Sequence, residues 1–201
     1  GNKSDEYNQN VVNTGKDVLN GALDEAEAWL MWKKVEAQNN NFVSNELKNR
    51  VQDDVDTNLA KIDELRTEVN GVETQLQLGI TWLRMIGKYL ELLTDVSRNS
   101  GLAWVEVANA HADRLDNYEG KLRAAAESMD NNAEILNKLD LVRDEIDSAK
   151  NNINNANMVY EQVVVGGTPL IKFNEGNQYM RTARLSMMNA NVNLRQAFNM
   201  V

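Results

Sequence analysis

Residues 101–165 read GLAWVEVANAHADRLDNYEGKLRAAAESMDNNAEILNKLDLVRDEIDSAKNNINNANMVYEQVVV. Apolar side chains recur at Leu115, Tyr118, Leu122, Met129, Leu136, Leu139, Ile146, Ile153, Tyr160 and Val163, in steps of three, four and seven. Such steps mark one face of a helix. They predict an unbroken helix over 101–165, roughly 95 Å long at 1.5 Å per residue. A helix of that length cannot bury its stripe alone and needs partner helices alongside.

Composition agrees. The 201 residues contain one proline, and 42% are hydrophobic and 25% charged. Scarce proline favours long helices. Asparagine is abundant and is only a modest helix former, so packing must supply the stability. There is no cysteine, which excludes disulfides, thiolate metal sites and cysteine nucleophiles. The net charge of −9 disfavours nucleic acid and anionic membrane surfaces as partners.

Working outward, the cluster Ser97-Arg98-Asn99-Ser100-Gly101 reads as the clearest turn, short enough for an antiparallel helical hairpin. Before it, Leu47, Val51, Val55, Leu59, Ile62, Leu65, Val69, Val72 and Leu76 form a seam that carries one helix from about 45 to 96. Asn70-Gly71 is a turn signal, but the heptad continues through it in register and predicts a soft spot within the helix. The first helix, about 4–37, uses Ser4 as N-cap and buries Val12, Leu19, Leu23, Ala26 and Leu30, with Val35 at the end of that face. Its run Trp29-Leu30-Met31-Trp32 is apolar all round, the pattern of a segment buried on several sides. Gln38-Asn39-Asn40-Asn41 reads as a break, with Ser44 as the next N-cap; the rival reading carries the helix straight through, since Val35 and Phe42 are one heptad apart. Gly166-Gly167-Thr168-Pro169 ends the third helix. A last helix over about 174–201 carries Met180, Ala183, Met187, Ala190, Leu194, Phe198 and Val201. The expectation is a single all-α domain over 1–201: an elongated antiparallel three- to four-helix bundle built on a long hairpin.

That hairpin has an apolar tip, which two helices cannot cover. Trp82, Leu83, Met85, Ile86, Tyr89 and Trp104 stand out there as a candidate partner-binding surface, since aromatic and methionine side chains are enriched at interfaces. The competing reading is ordinary core, with Trp29 and Trp32 covering the tip if the first helix folds back that far. His111, with Glu106 and Asp113 nearby, fits neither H-E-x-x-H nor the E-x-x-H of carboxylate di-metal bundles. Asp53-Asp54-Asp56 and Asp140, Asp144, Glu145 and Asp147 lack the spacing of a calcium loop and read as solvated helix faces. Gly166-Gly167-Thr168 lacks the lysine and preceding strand of a phosphate loop. No catalytic, metal or cofactor-binding residue is assigned, and an enzyme is not expected. Asn2-Lys3-Ser4 matches a glycosylation sequon.

The hairpin about Ser97–Gly101, the scarce proline and the acidic polar surface together resemble the elongated helical-bundle surface proteins of trypanosomes. That group includes the haptoglobin–haemoglobin receptor, the glutamate/alanine-rich surface protein and the variant surface glycoprotein N-terminal domains. The resemblance spans the whole chain and is architectural. Several members carry disulfides and the alanine-rich ones more alanine than this chain. It implies an extracellular, membrane-anchored coat protein or receptor ectodomain, displaying itself or binding a protein ligand. The membrane link would lie in an anchor outside these residues, since none of their segments matches a membrane-spanning helix. No leader is visible either; a mature ectodomain reads this way, and so does a cytoplasmic protein. Two other classes fit the same residues: a pore-forming toxin component with an apolar tip, and an intracellular coiled-coil scaffold. The partners expected are a protein ligand or a second copy of the chain.

Overall fold

The computed structural model describes residues 3–201, and every described secondary-structure element is helical. Five helices follow one another: α1 (Lys3–Asn39), α2 (Asn45–Asn70), α3 (Gln75–Glu127), α4 (Ala133–Tyr160) and α5 (Pro169–Phe198). Asn2 of the sequon lies outside the described residues. Contacts divide the chain, expected as a single domain, into two compact units, residues 1–96 and 97–201. The continuous helix α3 supplies residues 75–96 to the first and 97–127 to the second.

In the first unit, α1 packs on α2, and ion pairs Lys34–Asp56 and Arg66–Asp24 set them antiparallel. Lys61–Glu91 and Arg84–Glu68 do the same for α2 and α3. Val12, Leu19, Leu23, Ala26 and Leu30 of α1 and Leu47, Val51, Val55, Ile62, Leu65 and Val69 of α2 are buried. Ser44 caps α2 by accepting from Leu47 N at 3.2 Å. Five expectations fail here. Lys3 is already helical, so Ser4 sits within the first turn of α1. Val35 is exposed at the end of its face, and Leu76 leaves the seam for solvent. Asn58 is buried where Leu59 was expected, its Nδ2 donating to Asp54 O and to Asp95 Oδ2 on α3. In the apolar run, only Leu30 is fully buried; Met31 and Trp32 face water, with Lys33 Nζ 4.7 Å from the Trp32 ring.

In the second unit, α4 packs on α5 through small residues. Gly176, Ala183, Ala190 and Ala197 recur every seven residues on α5 and are buried. Ala149 and Ala156 on α4 are buried as well. Small side chains let the two backbones approach closely. Phe198 and Val201, expected on the packed face, are exposed. Leu122 and Ala126 of α3 complete a core with Ile135, Leu139, Val142 and Ile146 of α4. Tyr118, expected in the stripe, is exposed, and its neighbour Glu119 is buried instead.

The helix boundaries move most. There is no turn at 97–101: α3 runs straight through it. Val96, Arg98, Asn99 and Leu102 are buried, and Arg98 Nη1 donates to Val163 O at 3.2 Å. Gly101 serves packing, because a Cβ there would lie 2.5 Å from the Tyr160 ring. The apolar segment 76–90 is therefore part of a continuous helix, and the hairpin with its tip near Asn99 is replaced by two other breaks. The first is at Asn70-Gly71, where α2 ends. Lys16 Nζ donates to the Asn70 and Val72 carbonyls there at 2.8 and 3.2 Å, satisfying acceptors that the helix end leaves open. The second interrupts the predicted 101–165 helix at 128–132. Asn131 takes φ 56°, a left-handed conformation that asparagine tolerates, and Asn132 Nδ2 donates to Ala126 O. Met129 and Leu136 both pack on the core from either side of this turn, so the seven-residue step continues although the helix does not. α4 ends at Tyr160, before Gly166 at φ 83°, and Pro169 opens α5 in its first turn, earlier than 174.

Candidate functional site

The start of α3 is set by a reciprocal cap. Thr74 Oγ1 accepts from Gln77 N at 3.2 Å, and Gln77 Oε1 accepts from Glu73 N and Thr74 N at 2.8 and 3.2 Å. This is the S/T-x-x-E/Q capping box, spelled Thr74-Gln75-Leu76-Gln77. From that origin the helix carries Trp82, Met85 and Tyr89 at steps of three and four to one side, toward α1.

There the first unit holds a cleft of about 550 Å³. Val18, Ala22 and Trp29 of α1 form one wall, Trp82, Met85, Ile86 and Tyr89 of α3 the other, and Asn58, Ile62 and Leu65 of α2 the floor. The lining is chiefly apolar, with Lys61 and Lys88 at the rim. Lys61 and Lys88 reach Glu91 at 2.8 and 3.6 Å. The hydrogen bond from Lys61 holds the Glu91 carboxyl below its ordinary range. Asn58 Oδ1 is buried at the floor and accepts no hydrogen bond.

The six residues singled out in the sequence separate into three groups. Trp82, Met85, Ile86 and Tyr89 line the cleft, and all but the half-buried Met85 are substantially exposed. Leu83 points to solvent on another side of α3 and is 65% exposed. Trp104 belongs to the second unit, its ring centroid 6.5 Å from Tyr160 and 6.0 Å from Phe173. Trp29, weighed as a covering residue, does share the cleft with Trp82, whereas Trp32 does not. Val18 and Ala22 were missed, since neither belongs to the buried face that the periodicity of α1 marks.

In the second unit, α3 and α4 are joined by charge. Buried Glu119 accepts from Arg123 at 2.6 Å and from Arg143. Arg123 also reaches Asp140 at 2.9 Å, and Arg143 reaches Asp116. Lys150 donates to Asp116 at 2.8 Å and pairs with Asp113 at 3.2 Å. The hydrogen bond from Lys150 lowers the Asp116 pKa, and the same bond raises that of Lys150. Asp140, read as part of a solvated face, and Asp113, weighed beside His111, are thus rim members of this network. Burial pushes the Tyr160 hydroxyl up to about 12, and it donates to Asn177 Oδ1 at 2.7 Å. His111 is exposed. Among the described residues, no group of three or more acidic or histidine side chains could hold a metal ion, and no helix is long and apolar enough to cross a membrane.

Comparison with protein-family models, curated proteins and solved structures finds no match to this chain.

Proposed function

We propose that this chain is a non-enzymatic binding protein, a coat protein or receptor ectodomain at a cell surface. It engages a protein ligand through the cleft of its first unit. The observation that carries the reading is the cleft itself. Trp29, Trp82, Met85 and Tyr89 present aromatic and methionine surface to one opening, the residue types that anchor protein interfaces. Large exposed apolar surface on a helical protein marks an interaction site more often than decoration. The cell-surface setting comes from the resemblance to trypanosome surface proteins.

The test uses intact cells of the native organism. A photo-crosslinking residue at Ala22, on the cleft wall, should capture one protein partner, and Trp82→Asp should abolish the capture. A membrane-impermeant label should reach the protein on unbroken cells. Label confined to lysed cells would overturn the surface assignment in favour of the intracellular scaffold. Release of dye from liposomes by the purified protein would overturn it in favour of the pore-forming component.

A further inference from the structure

Residues 76–90 of α3 read LQLGITWLRMIGKYL. About Leu83 this order is mirror-symmetric along one face: Leu76 with Leu90, Gly79 with Gly87, Ile80 with Ile86, and Leu83 with itself. At 3.6 residues per turn all seven lie within about 60° of Leu83. Leu76, Leu83 and Leu90 are 75%, 65% and 58% exposed, and Ile80 and Ile86 are exposed beside them. Gly79 and Gly87 have open space where a Cβ would point, so nothing in the chain requires glycine there. Glycine also weakens a helix at such positions, and alanine would serve better.

We infer that this face is a self-pairing surface, on which α3 of a second copy lies antiparallel about a twofold axis at Leu83. A twofold contact must be self-complementary: if residue i meets residue j, then j meets i. In an antiparallel pair centred on Leu83, Leu76 meets Leu90 of the other copy, Gly79 meets Gly87 and Ile80 meets Ile86. Every layer then matches leucine with leucine, glycine with glycine, isoleucine with isoleucine. A parallel pair has no use for the mirror order. The glycine layers on either side of the centre let the two backbones approach closely.

The area is of the right size. The five aliphatic side chains and the flanking Trp82 expose roughly 650 Å² per copy, against about 800 Å² per partner in a standard interface, the remainder coming from glycine backbone and rim. On one flank Trp82 meets its own counterpart. On the other Arg84 meets Arg84, each already neutralised by Glu68 of its own chain at 2.9 Å. The face borders the cleft and shares Ile86 and the Trp82 flank with it, whereas Leu76, Gly79, Ile80, Leu83, Gly87 and Leu90 lie outside the cleft lining and carry the inference.

The chain has no cysteine, so introduced thiols report without background. Sedimentation velocity at micromolar concentration should give a dimer. Leu83→Asp should give a monomer of unchanged helicity, because Leu83 is exposed within one chain. Gly79→Leu should also weaken the dimer, although it favours the isolated helix. Under mild oxidation Leu83→Cys should form a disulfide-linked dimer. Leu76→Cys alone should not, since its two copies lie about 21 Å apart along the pair. Leu76→Cys mixed with Leu90→Cys should cross-link. A wild-type monomer, or efficient self-cross-linking of Leu76→Cys, would overturn the inference, and either leaves the cleft reading to its own test.

Discussion

The ring of Tyr160 occupies the space that a side chain at residue 101 would need: a Cβ on Gly101 would fall 2.5 Å from it. Gly176 makes the same allowance from α5, also at 2.5 Å. Tyr160 is fully buried between the two glycines, its hydroxyl held by Asn177 and its ring packed beside Trp104 and Phe173. Gly101→Ala and Gly176→Ala should each destabilise the second unit by about 1–3 kcal/mol, the range for overfilling a packed site. Tyr160→Phe should cost only about 1 kcal/mol, the net worth of one hydrogen bond. Urea denaturation of the three variants checks the order; equal losses would mean that the ring is not wedged.

Among the described residues Glu119 is the one acidic side chain buried outright, and it ties α3 to α4 through Arg123 and Arg143. Glu119→Ala should cost about 3 kcal/mol, as removing one member of a buried pair does. Asp140→Ala, at the exposed rim, should cost less than about 1 kcal/mol. A double-mutant cycle of Glu119 with Arg143 should return coupling well above that of Asp140 with Arg123.

Acid should weaken both units in the same direction. The folded-state pKa values of Asp116 and Glu91 lie below their ordinary values because Lys150 and Lys61 donate to them. The unfolded chain therefore binds protons more readily, and this stability is present in full above about pH 5 and lost as pH falls through the folded values. The urea midpoint should drop between about pH 5 and pH 3. Lys150→Met and Lys61→Met should flatten that drop while lowering stability near neutrality.

The junction at 71–74 depends on its caps. Thr74→Ala should destabilise the first unit by about 1 kcal/mol, the cost of losing an N-cap oxygen. Lys16→Met removes the donor to two open carbonyls and should cost a similar amount. Amide exchange should speed up first at Val72 to Leu76 in both variants. Unchanged exchange there would show that apolar packing alone sets the turn.

By itself the sequence determined the helical class, the buried faces of α1 and most of α2, and the excess of apolar side chains at 76–90. Each of these is a local property: side-chain period, scarce proline, and a run of residue types within a few turns. The capping box spelled at Thr74–Gln77 went unread, because the heptad running through Asn70-Gly71 predicted continuous helix there. What only the tertiary structure decided is the meaning of the small and polar clusters. Ser97–Gly101 and Asp130–Asn132 look alike as strings, yet one is helix interior and the other a turn. Gly101 is helical because Tyr160, far along the chain, needs its missing side chain, and Arg98 is buried because Val163 offers it a carbonyl. The cleft has the same origin, since Trp29 and Trp82 are brought together only when α1 and α3 pack on α2. Periodicity records which side of a helix is apolar; the partner that side meets is set by contacts between distant residues, which no local spacing encodes.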